Sequence, residues 1–211
     1  MKVGLLRLRS GLIFLSDMGD AFTHVGDFAF LRKEFTATQS LEGQQHLWLW
    51  LTKRPANMGK FADSIGGFPA NVCAMTTVTS RDTLHRVDGL RAVDAQVKGL
   101  SLEPLWSDIA DDLDLTGIDW VIVGGESGAR DMAAPFPIEW AQKVHALCKR
   151  RGVAFFLKQL GSNPTLHGEP FELSTRHGGD WEEWPEQICN REFPAYFDYY
   201  AKLPGTPCAK N

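Results

Sequence analysis

Short apolar runs recur along the chain, and five of them stop on polar or charged residues. Leu12-Ile13-Phe14-Leu15 meets Ser16-Asp17-Met18-Gly19-Asp20, Leu47 to Leu51 meets Thr52-Lys53-Arg54-Pro55, and Val97 to Leu102 meets Glu103-Pro104. Trp120 to Val123 meets Gly124-Gly125-Glu126-Ser127-Gly128, and Val153 to Leu157 meets Lys158-Gln159. Between the runs the apolar spacing becomes helical. Residues 27–41 carry Phe28, Leu31, Phe35 and Leu41. Pro55 opens a segment with Met58, Phe61, Ala62 and Ile65 that closes on Gly66-Gly67. Ser80 stands as the cap of a helix bearing Leu84, Val87, Leu90 and Val93. Pro137 starts the most regular stripe, Trp140, Ala141, Val144, Leu147 and Cys148, which Gly152 stops.

The pattern predicts strands at 11–16, 46–52, 71–78, 97–102, 119–123 and 153–158, with helices between most of them. Strands separated by helices imply right-handed crossovers and a parallel sheet. The expected fold is therefore α/β. About six strands fall short of the eight that close a TIM-like barrel, so the sheet is an open layer or a partial barrel. In either case the carboxyl ends of the strands share one face, where sites are built. The five polar strand ends would converge there, which suggests an enzyme or the remains of one.

Residues 1–160 form this expected partial barrel, and 161–211 change character. Pro164, Pro170, Pro185, Pro194, Pro204 and Pro207 interrupt a run holding Trp181, Trp184, Phe193, Tyr196, Phe197, Tyr199 and Tyr200. The expectation is an irregular extension packed on the barrel and fraying after about Leu203. The sharper alternative is an aromatic platform for single-stranded nucleic acid.

Composition narrows the classes. The 211 residues suffice for a core that buries roughly 70% of the unfolded surface. No apolar run approaches the roughly 20 residues that span a bilayer, and Met1 to Arg9 lacks a signal-peptide pattern. The expected setting is thus cytoplasmic, without a membrane partner. A net charge of −4 gives no general pull toward nucleic acid. Basic spots at Arg7/Arg9, Arg32/Lys33 and Lys149-Arg150-Arg151 read as solvated faces and helix C-terminal charges. Lys53-Arg54 differs because it follows a strand directly. Cys73, Cys148, Cys189 and Cys208 are scattered singly, with no C-x-x-C pair. Cys73 and Cys148 read as buried small hydrophobes. His24, His46, His85, His145, His167 and His177 show no metal-ligand spacing, and no metal site is expected.

The strand ends supply the candidate chemistry. In Gly124-Gly125-Glu126-Ser127-Gly128, glycines permit close backbone approach and free N–H groups, while the carboxylate accepts from an ammonium or hydroxyl. The alternative is a plain tight turn. Glu103 ends its strand before Pro104 as a candidate catalytic carboxylate, unless it forms a structural salt bridge with Lys53 or Lys158. Lys53 and Lys158 are candidates for orienting an anion or for general-base work. Asp20 is a further catalytic candidate or a helix cap, a role that fits Asp17 better. Thr52, Arg54 and Gln159 complete the candidate ligand-binding set.

At these strand ends the chain resembles the Gp-thirty-seven/Gp-sixty-eight family of phage and prophage proteins, which looks related to radical S-adenosylmethionine (SAM) enzymes. The segments that carry the likeness are Ile13 to Phe22, Leu51 to Pro55, Leu100 to Leu105, Asp119 to Gly128 and Phe155 to Gly161. Gly178-Gly179-Asp180, Glu183-Trp184-Pro185 and Arg191-Glu192-Phe193-Pro194 resemble the closing segment. The resemblance implies a radical-SAM-like barrel with SAM as its small-molecule ligand, touched first by Gly124, Gly125 and Glu126. It further implies that Lys53 and Arg54 hold an anionic group and that Glu103 receives hydrogen bonds from a ribose or amine. Members usually begin with three closely spaced cysteines that ligate an iron–sulfur cluster. That segment would lie upstream of Met1, and none of the four cysteines here has its spacing. The chain is thus expected to be the substrate and SAM half of such an enzyme, not cleaving SAM by itself. The other classes are an accessory module that binds a nucleic acid or a host protein, and an inactive relic.

Overall fold

The computed structural model describes residues 11–15, 20–23 and 28–197. The expectations at Arg7, Arg9, Ser16, Asp17, Met18, Gly19, His24, Tyr199, Tyr200, Leu203, Pro204, Pro207 and Cys208 lie outside the described residues.

Six strands form one parallel sheet: β1 (Leu12–Leu15), β2 (Leu47–Thr52), β3 (Val72–Thr77), β4 (Val97–Leu102), β5 (Trp120–Gly124) and β7 (Ala154–Gln159). Their spatial order is β1-β2-β3-β4-β5-β7, which is chain order. Helices α1 (Ala29–Gln39), α2 (Pro55–Ile65), α3 (Arg86–Arg91) and α4 (Ile138–Arg151) lie in the crossovers. When each strand is laid beside its predecessor by a crossover of the same hand, all helices fall on one face and the sheet curls. Buried side chains record this in two separate clusters. One joins Trp48, Trp50, Ala74, Leu100, Val121 and Leu157 to the helix residues Met58, Phe61, Leu90 and Val144. The other joins Leu47, Leu49, Cys73, Met75, Trp120 and Ile122 and contains no α-helix residue. The first cluster is the convex, helix-covered face and the second the concave one. The fold is a curled, parallel half-barrel.

Local chemistry explains the element ends. Pro55 begins α2, and Gly66, at φ 79°, ends it in the left-handed conformation that glycine adopts without strain. The helix expected from Ser80 to Val93 is instead divided into a 3-10 turn, Arg81–Thr83, and the short α3. The reason is local. The Thr83 hydroxyl accepts from Thr79 N at 2.9 Å and Ser80 N at 3.1 Å, which holds a tight turn at the start of the segment.

The extension after Gln159 is less irregular than expected. β6 (Phe136–Pro137) pairs with β8 (Pro164–Leu166), which turns back into β9 (Glu169–Pro170). His167 and Gly168, at φ 54° and 82°, supply the two left-handed residues of that hairpin turn. The chain then lines the free edge of β7. Leu157 N donates to Asn190 O at 3.0 Å and Glu192 N to Phe155 O at 2.8 Å, so this edge is covered. From there Phe193 packs on Trp120 and Phe156 with ring centroids 5.2 and 5.6 Å away, and Phe197 is buried in the concave cluster. Trp184 is also buried. The described aromatics of this segment are thus mostly consumed inside the protein rather than displayed as a stacking surface. At the other edge, Leu12 and Phe14 remain 40% and 42% exposed. No helix among the described residues is long and apolar enough to cross a membrane.

Candidate functional site

β4 leaves the sheet through a cis Glu103–Pro104 peptide. Two hydrogen bonds then tie its exit to both neighbours, Leu105 N to Gly124 O at 3.0 Å and Trp106 N to Thr79 O at 2.8 Å. The Glu103 carboxylate consequently stands over the ends of β5 and β7. Lys158 Nζ donates to its Oε2 at 2.9 Å and Gln159 Nε2 to its Oε1 at 3.0 Å. Gln159 Nε2 also donates to Gly125 O at 2.6 Å. The salt bridge weighed from sequence is thus formed, with Lys158 rather than Lys53. Gln159 Oε1 is buried and has no hydrogen-bond partner. Because both Nε2 contacts are to acceptors, the amide cannot simply be turned over to satisfy it.

A second assembly gathers at β1 and β2. Asp20 Oδ1 accepts from Phe22 N at 3.0 Å and Thr52 Oγ1 at 2.8 Å, while Oδ2 accepts from Lys53 N at 2.9 Å. Arg54 Nη1 lies 3.6 Å from Asp20 Oδ2 and donates to Thr23 Oγ1 at 2.8 Å. Asp20 is a clamp between strand ends rather than the cap of a helix. Thr52 is spent within this clamp, and Lys53 is exposed.

The Gly124–Gly128 loop uses its glycines differently from the sequence expectation. A Cβ on Gly125 would lie 2.3 Å from Leu160 O, and one on Gly124 would lie 3.1 Å from Glu103 Cγ. Gly125 needs glycine because backbone stands against it, and Gly124 leaves room for the Glu103 and Gln159 side chains. Nor are the amides free: Gly125 N donates to Gln159 O at 3.2 Å and Gly128 N to Ser162 Oγ at 3.0 Å. Glu126 Oε2 accepts from Ala134 N at 3.0 Å and from Trp106 Nε1 at 3.3 Å. Its Oε1 has no partner among the described residues. Ser127 is exposed.

Several residues of this face escaped the sequence reading. Trp106, 51% exposed, stands beside Glu126. Thr77 and Ser101 face each other in register near the ends of β3 and β4 and are almost wholly buried. The available signal was polar residues closing an apolar strand, as in Met75-Thr76-Thr77, but threonine is itself a good strand former and drew no notice. Arg86, from α3, donates Nη1 to Thr77 O at 2.9 Å.

Other recesses are separate from this face. A cleft of about 990 Å³ opens at the amino ends of the strands, lined by residues such as Asp119, Lys149, Arg151, Phe193 and Tyr196, and includes none of the predicted site residues. A recess of about 120 Å³ lies between Arg130, Ser162, Phe171 and Arg176. No group of three metal-ligating side chains occurs among the described residues. Cys73 and Cys148 are buried as expected. Burial, with Glu192 nearby, pushes the Cys148 thiol up to about 12.

No curated protein and no solved structure matches this sequence. A family profile does, over residues 3–185. The chain belongs to that family, DUF5131, described as proteins of unknown function.

Proposed function

We propose that the carboxyl-end face is a small-molecule site, and that the chain supplies the substrate and SAM site of a radical-SAM-like enzyme of phage type. The observation that carries this reading is the buried, unpartnered Gln159 Oε1 beside the Glu103–Lys158 pair. A buried acceptor without a donor costs about 1–3 kcal/mol, which a ligand hydroxyl or ammonium would offset. Glu126 Oε1 offers a second open acceptor on the same face. These groups fit the hydroxyl- and ammonium-bearing parts of SAM, which when bound supplies an electrophilic sulfonium.

The described cysteines do not fit an iron–sulfur cluster. Cys73 is buried within the concave cluster, Cys148 lies on α4, and Cys189 Sγ donates to Trp181 O at 3.4 Å. No reaction step is assigned through a cluster. Among the chain's own residues, Glu103 and Glu126 accept from the ligand, Lys158 and Gln159 hold Glu103 in place, and the Asp20 clamp fixes the start of the β2 loop.

Equilibrium dialysis of the full chain against radiolabelled SAM tests the reading. Saturable binding that weakens at least tenfold in Glu126→Gln, with an unchanged melting temperature, is expected. No binding by the parent chain rejects it. A second reading, an accessory module for a nucleic acid or host protein, rests on the exposed side chains of Trp106 and Met132. Affinity for such a macromolecule that survives Glu103→Gln and Glu126→Gln would favour this alternative.

A further inference from the structure

The concave face changes from apolar to polar along one row of the sheet. β2 and β3 pair Thr52 with Thr76, and β3 and β4 pair Thr77 with Ser101. Strand alternation therefore puts Lys53, Thr77 and Ser101 at one level across three adjacent strands, above Leu51, Met75 and Gly99. Thr77 and Ser101 are only 6% exposed as residues, and no hydrogen bond joins either hydroxyl to a described residue, so what remains accessible includes both oxygens. Neither oxygen is shut off from water, so the two neighbouring hydroxyls are hydrated and can exchange that water for a polar group of a ligand.

The charges say which kind. Glu103 is matched by Lys158, and Asp20 by Arg54. Lys53 has no carboxylate partner among the described residues. Nor has Arg86, whose half-buried guanidinium is anchored on Thr77 O at 2.9 Å. Among the described residues, two cations without a carboxylate partner thus flank two hydroxyls that bond no protein group. Adjacent strands are about 4.8 Å apart, and side chains on the inside of a curled sheet converge. Donors arriving from three strands suit an anion whose oxygens point in several directions, as in a tetrahedral oxyanion, better than the two coplanar oxygens of a carboxylate.

We propose that Lys53, Thr77 and Ser101, backed by Arg86, form an oxyanion subsite that takes the phosphate group of a ligand. The inference rests on reading this face as a ligand site and adds the chemical class of one part of what binds there. Because neither hydroxyl bonds the protein, Thr77→Val and Ser101→Ala leave the fold intact.

The test titrates the full chain with inorganic phosphate, glycerol phosphate and acetate at constant ionic strength. Thermal unfolding followed by tryptophan fluorescence reads the saturable stabilisation that a native-state ligand produces. Phosphate and its monoester are expected to stabilise the parent chain saturably. The Thr77→Val/Ser101→Ala double variant and Lys53→Met should each weaken that binding at least tenfold, with unliganded melting temperatures within about 2 °C of the parent. Binding of glycerol phosphate but not of free phosphate would assign the subsite to esterified ligands. Acetate binding in place of both phosphates overturns the inference, as does an undiminished affinity in the double variant. SAM binding in parallel separates the two readings: SAM bound without phosphate sinks this inference alone, and phosphate bound without SAM sinks the cofactor reading alone.

Discussion

Glu103 and Lys158, 55 residues apart in sequence, meet at 2.9 Å because the ends of β4 and β7 flank that of β5. Between them Gly124 brings no side chain, and a Cβ there would crowd both Glu103 Cγ and Gln159 Nε2. The pair is half open to water, Lys158 at 52% and Glu103 at 19% exposure. Its contribution to stability is therefore small, about 1 kcal/mol or less. Glu103→Gln should shift the urea midpoint little while lowering SAM affinity at least tenfold. A stability loss of more than about 2 kcal/mol with binding unchanged would make the pair purely structural.

Glu126 holds the loop at Ala134 with one oxygen and leaves the other open. A glutamine keeps a carbonyl oxygen for Ala134 N, so Glu126→Gln should cost little stability. Glu126→Ala removes the acceptor altogether and should cost about 1–3 kcal/mol. Denaturant titration of both variants reads the difference, and equal losses would contradict the hydrogen-bond assignment.

Two glycines of one loop should respond oppositely. Gly125→Ala forces a Cβ to within 2.3 Å of backbone, whereas nothing lies within 4 Å of a Cβ on Gly128. The first should destabilise by at least about 1–3 kcal/mol, as overpacking does, and the second by only a few tenths. Melting temperatures of the two variants check this directly.

Arg191 seals the β7 edge. Its Nε donates to Leu157 O at 3.0 Å and its Nη2 to Lys158 O at 2.9 Å, while the guanidinium carbon lies 4.9 Å from the Trp184 ring centroid. Burial lowers its pKa from the usual arginine value. Arg191→Met retains the stem packing but leaves two edge carbonyls without this donor, so a loss of about 2–3 kcal/mol is expected. Hydrogen exchange should rise at Leu157 N and Glu192 N, the amides that pair the two segments. Unchanged exchange there would show that the edge is held without the guanidinium.

The thiols of Cys73 and Cys148 should be inert in the native protein. Burial raises both pKa values, and the thiolate is the reactive form. Alkylation at pH 8 followed by peptide mapping should label neither until denaturant is added. Native-state labelling of Cys148 would mean that α4 opens readily.

The order and type of most elements, and the face to which Glu103, Glu126 and Lys158 belong, were legible in the sequence. They depend on periodicity, on Pro55 and Gly66 at the ends of α2, and on the rule that parallel strands end on one side. These are local or topological constraints, and a single chain displays them. Partnership was not legible. Lys53 and Lys158 look equivalent as strand-end lysines, and β2 and β7 each lie two strands from β4, yet only Lys158 meets Glu103, because the carboxylate leans over Gly124, the side-chain-free end of β5, toward β7. The glycines of Gly124-Gly125 read as room for a ligand, and three-dimensional packing fills that room with Leu160 and Glu103. The pairing of Thr77 with Ser101 is likewise invisible until two strands lie in register. Local sequence dictates what each segment becomes. Which side chains meet depends on contacts between segments far apart in the chain, and only the tertiary fold selects them.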